Sequence, residues 1–89
     1  MMVKENIGAV RNRLKVLIAQ KEITDGRNYS YSDIQAATGV AVSTLVDWAR
    51  GRSKYYAGDT LAALCFFFGC QPGDLLEYVP PVVSSEKAD

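Results

Sequence analysis

Eighty-nine residues, 48% of them hydrophobic, suffice for one domain with a modest core and leave no room for a second. Net charge is zero, yet residues 1–58 hold nine Lys/Arg against five Asp/Glu and residues 59–89 one Lys against five, so any basic face belongs to the first part. With no histidine and only two cysteines, Cys65 and Cys70, the composition argues against a metal centre, a disulfide scaffold and acid–base catalysis. No enzyme activity, cofactor or small-molecule ligand is therefore expected. No apolar run approaches the ~20 residues of a membrane span, and the N-terminus lacks the pattern of a secretory signal. No membrane partner is expected, and a cytoplasmic location is the default.

The first predicted element is a helix over residues 6–21, with Ile7, Val10, Leu14, Leu17 and Ile18 at helical spacing and Asn6 as its cap. Arg11, Arg13 and Lys15 fall off that stripe, into solvent. Residues 22–30 break the pattern; Asp25-Gly26 is a turn signal compatible with a very short hairpin. Ser30 and Asp33 then form an S-x-x-D start for a second helix, with Ile34, Ala37 and Thr38 as a narrow buried face and Gly39 as its stop. A third helix spans Val42 to Arg50, burying Leu45, Trp48 and Ala49, and Gly51 ends it. A fourth, about Asp59 to Phe68, buries Leu61, Leu64, Cys65 and Phe68 before Gly69. Both cysteines read as small core residues. Pro72 opens a short fifth helix with Asp74 in its first turn and Leu75 and Leu76 as anchors. Pro80-Pro81 ends helical structure. The expected fold is all-α: a compact five-helix bundle over residues 1–80, with a flexible tail over 81–89.

Two short helices joined by a glycine-containing turn form a helix-turn-helix, and YSDIQAATGVAVSTLVDWARG fits that plan. The spacing TGVxxxTLxxWxxG from Thr38 to Gly51 resembles the XRE class, that of phage Cro and repressor DNA-binding domains. The later segment CQPGDLLEY is similar to the close of a small bacterial subgroup of that class. The resemblance covers roughly residues 10–80. It implies a five-helix DNA-binding domain, often dimeric, usually of a transcriptional regulator, with residues 42–50 as the recognition helix. The chain departs from the class in three places. Gln35 stands where a small residue faces the recognition helix, Ala41 where a serine caps it, and the link between the first two helices is longer.

On that reading the outward positions Val42, Ser43, Val46, Asp47 and Arg50 read bases. Arginine donates to guanine, serine pairs with several base edges, valine touches a thymine methyl and aspartate accepts from cytosine N4. Tyr31, at the start of the second helix, and the loop residues Arg52, Ser53, Lys54 and Tyr55 face phosphates. Phe66 and Phe67 are surplus aromatic surface on the fourth helix. They suit a symmetric homodimer contact, unless Pro80–Val83 folds back over them. The expected partners are thus double-stranded DNA and a second copy of the chain. The competing expectation is a helix-turn-helix module that binds proteins, as antitoxins do; zero net charge and Asp47 favour it.

Overall fold

The computed structural model describes residues 7–81. A strand β1 (Ala9–Asn12) precedes the helices α1 (Leu14–Asp25), α2 (Tyr31–Thr38), α3 (Val42–Ala49), α4 (Gly58–Phe68) and α5 (Pro72–Leu75), and a second strand β2 (Leu76–Val79) follows them. Nine buried side chains make the core: Leu14, Leu17, Ile18, Ile34, Val40, Leu45, Trp48, Leu64 and Leu75. All five helices contribute to it, as does the turn between α2 and α3.

The architecture is not purely helical. β1 and β2 pair antiparallel, with Ala9 opposite Val79, Val10 opposite Tyr78, Arg11 opposite Glu77 and Asn12 opposite Leu76. Arg11 Nε donates to Glu77 Oε2 at 2.9 Å across this ribbon, and Arg13 N–H continues it to Leu75 C=O at 2.8 Å. The expected first helix therefore starts eight residues late, and Ile7 and Val10 lie more than half exposed instead of in the core. Asn12 makes the boundary. Its Oδ1 accepts the N–H of Leu14 at 3.1 Å and its Nδ2 donates to Trp48 C=O at 3.0 Å. A side chain that bonds locally in this way draws the backbone out of helix. The cap expected of Asn6 lies outside the described residues, as does the tail from residue 82.

At its other end α1 runs on to Asp25, so Asp25-Gly26 is a helix stop and not a hairpin. Gly26 takes a left-handed conformation (φ 67°) and returns its N–H to Glu22 C=O. The link to α2 is held to α1 by Tyr29. Its N–H donates to Glu22 Oε2 at 2.8 Å, its hydroxyl donates to Asp25, and the guanidinium of Arg27 lies 4.4 Å from its ring centre. The Tyr29 hydroxyl, with Lys21, holds the Asp25 carboxyl below the usual carboxylate range. The expected fifth helix is a single turn. Leu75 is buried, and Leu76 opens β2 half-buried. Of the narrow face expected on α2, Ala37 is exposed.

Candidate nucleic-acid interface

α2 begins with a full capping box: Ser30 accepts from Asp33 N–H at 3.0 Å and Asp33 accepts from Ser30 N–H at 2.9 Å. It stops at Gly39, whose φ of 81° is strained for any residue with a Cβ. Thr38 then closes the turn. Its hydroxyl donates to Ile34 C=O at 2.7 Å and accepts from Val40 N–H at 3.1 Å, which drives Val40 into the core. Two residues later, at Val42, α3 begins. Its rotation about its own axis is set by Leu45 and Trp48. Both are buried, and the Trp48 ring meets Tyr56 edge-on at 4.8 Å.

Opposite those two side chains lies one exposed stripe, Ser43, Asp47 and Arg50, at the i, i+4, i+7 spacing of a single helical face. Val42 and Val46 flank it half-buried. Ala41 sits at the helix start and gives no side-chain cap, leaving the first N–H groups of α3 without one. Gln35 is exposed, so the larger side chain costs no packing against α3.

After α3 the chain turns back at Gly51 (φ 70°), and Arg52 N–H bonds to Asp47 C=O at 2.9 Å. This fixes the start of the loop against the end of α3. Arg52 and Lys54 are exposed and Tyr55 is 91% exposed. Ser53 is half-buried, its carbonyl accepting from the Tyr56 hydroxyl at 3.2 Å. Tyr31 is half-buried and packs on the core. Among the described residues, Arg50, Arg52, Lys54 and Lys15 form no ion pair. Phe66 is 87% exposed, whereas Phe67 is half-buried between Tyr29 and Phe68.

Sequence reasoning missed a cluster. The ribbon carries Arg11 and Arg13, and α1 carries Lys15, to a cleft of about 140 Å³ beside Trp48, Ala49 and Gly51 at the end of α3. On a helix these three cations would be solvated surface groups; here they line one cleft with Ala49 and Gly51, the chain neighbours of Arg50 and Arg52. Arg11 is paired with Glu77 and Arg13 donates to Asp74 C=O at 3.2 Å, whereas Lys15 has no ion-pair partner among the described residues. The one sequence signal was Asn12, a poor helix-interior residue between two arginines.

Among the described residues no helix is long and apolar enough to cross a membrane, and no three His, Cys, Asp or Glu side chains cluster as metal ligands. The chain is 35% identical over 52 residues to an uncharacterized HTH-type transcriptional regulator, YozG, of Bacillus subtilis (strain 168). The match spans 58% of this chain and 62% of that relative's length. No solved structure matches significantly. Residues 13–81, from just before α1 to just beyond β2, match the Cro/C1-type HTH DNA-binding domain. That match takes in the capped α2, the Gly39 turn and α3, and with it the chain belongs to the Cro/C1-type helix-turn-helix DNA-binding family.

Proposed function

We propose that this protein is a transcriptional regulator that binds double-stranded DNA sequence-specifically, with α3 in the major groove. The observation that carries the reading is the exposed Ser43–Asp47–Arg50 stripe on a helix whose opposite face is locked by Leu45 and Trp48. Arg50 donates to a guanine, Asp47 accepts from a cytosine, Ser43 bonds a base edge, and Val42 and Val46 make apolar contacts at the rim. Arg52, Ser53, Lys54 and Tyr55 hold phosphates on one side of the helix, and Tyr31 does so through the start of α2. Lys15 joins them beside the end of α3. The name of the Bacillus subtilis relative, an HTH-type transcriptional regulator, agrees with this role. The closing segment Cys70–Tyr78 fits the small bacterial subgroup it resembles. A cytoplasmic location suits that role, and Phe66 offers a homodimer contact that pairs two half-sites.

Duplexes selected from a random pool, then titrated across a salt series, test the reading. Arg52→Ala and Lys54→Ala each lower the salt slope by about one and weaken all sequences alike. Arg50→Ala costs roughly 1–3 kcal/mol and relaxes one base position. Asp47→Ala relaxes another while affinity holds or rises, because a charge repelled by phosphate has gone. Wild-type protein without salt-dependent binding at low ionic strength would leave the protein-binding module in its place. Asp47, exposed and outside any ion pair among the described residues, is the observation favouring that second reading.

A further inference from the structure

DNA binding makes no use of the two cysteines, and the fold places them together. α4 ends in a Schellman-type turn. Gly69 is left-handed (φ 66°), and the N–H groups of both Gly69 and Cys70 return to the carbonyl of Cys65, that of Cys70 at 3.0 Å. In this turn the residue after the glycine and the one four before it stack side by side, normally as an apolar contact. Here both positions are thiols. Standard bond lengths on either side of the 3.0 Å hydrogen bond keep the two Cα atoms within about 7 Å, the limit for bridging. Both thiols are free and half-buried, within reach of a small solute. Burial pushes the Cys70 thiol above its ordinary value, and the adjacent Cys65 thiol adds to the shift.

We propose that Cys65 and Cys70 form a dithiol site that hydroperoxides convert to a reversible intramolecular disulfide. The peroxide O–O bond breaks as the Cys65 sulfur takes one oxygen, giving a sulfenic acid and releasing water or an alcohol. The Cys70 sulfur then attacks the Cys65 sulfur. The S–S bond forms, the S–O bond breaks, and the hydroxyl leaves as water with the Cys70 proton. Two electrons pass from the thiol pair to the peroxide. The turn places the two sulfurs equivalently for this chemistry, and the same steps close the bond with their roles exchanged. The Schellman bond supplies the second sulfur at once, which protects the sulfenic acid from further oxidation.

The test uses the full chain, fully reduced, with hydrogen peroxide as the probe and dithiothreitol as the reductant. Intact mass should fall by two hydrogens, both thiols should resist alkylation, dithiothreitol should restore them, and dilution should not change the yield. Cys65→Ser and Cys70→Ser should never lose two hydrogens as a single chain; they should carry an added oxygen or a cross-link to a second chain. Two alkylatable thiols surviving peroxide doses that oxidise free dithiothreitol would overturn the site. So would cross-linked chains as the sole product, or an oxygen adduct on wild type that never closes. The wild-type measurement stands whether or not the serine variants fold.

Discussion

Asn12 links three parts of the molecule through its side-chain amide and its backbone. Its oxygen holds Leu14 N–H at the start of α1, its nitrogen holds Trp48 C=O near the end of α3, and its backbone closes the ribbon against Leu76. Asn12→Ala should therefore cost about 1–3 kcal/mol, since it leaves a part-buried donor without a partner. Trp48→Ala should cost more, about 3–5 kcal/mol, because it empties the core between α3 and Tyr56. Urea unfolding should show both as lower midpoints at unchanged slope. A wild-type midpoint for Asn12→Ala would mean that the ribbon boundary is set elsewhere.

Among the elements, α2 carries an acid-sensitive start. The N–H of Ser30, then its hydroxyl, hold the Asp33 carboxyl below the usual carboxylate range, with Arg27 adding to the effect. A depressed folded value means that the capping box contributes its stability at pH above the ordinary carboxylate value of about 4 and loses it as pH falls through the lowered one. Asp33→Ala should accordingly lower the melting temperature at pH 7 and lie closer to wild type at pH 2. A constant gap at both pH values would put the effect elsewhere. The ribbon has its own weak point in Gly8, with φ 87° and a backbone so close to Val79 C=O that a Cβ would collide with it. Gly8→Val should speed amide exchange at Ala9 and Val10 and leave α2 and α3 protected. The difference between these two elements explains what the sequence made legible. Ser30, Asp33, Gly39, Gly69 and Pro72 act within four residues of themselves, so caps, stops and the phase of the Ser43–Asp47–Arg50 stripe were readable. Arg11 and Glu77 stand 66 residues apart, and no local window relates them. Val10, Leu14 and Leu17 meet helical spacing whether or not Val10 is helical, so the ribbon was invisible. With it went the cleft that gathers Arg11, Arg13 and Lys15.

At the scale of the whole molecule, the asymmetry of charge becomes one of surfaces. Arg11, Arg13 and Lys15 line a cleft at the end of α3, while α4 offers the bare ring of Phe66. If that ring is the homodimer contact, Phe66→Glu should shift sedimentation toward monomer and weaken binding to a paired half-site more than to a single one. Equal sedimentation of variant and wild type would move the contact to another surface. The ribbon bears on how the molecule answers force. Ala9 and Val79 are its outermost pair, and the strands run antiparallel, so the chain on either side of the fold departs from one end of the ladder. Tension between those two exits loads one rung at a time: Ala9–Val79, then Val10–Tyr78, then the Arg11–Glu77 ion pair, and Asn12–Leu76 last. The domain is fastened by a zipper and not a shear clamp. A modest pull would open it as far as Asn12, the residue that ties the ribbon to α3, before disturbing α3 itself.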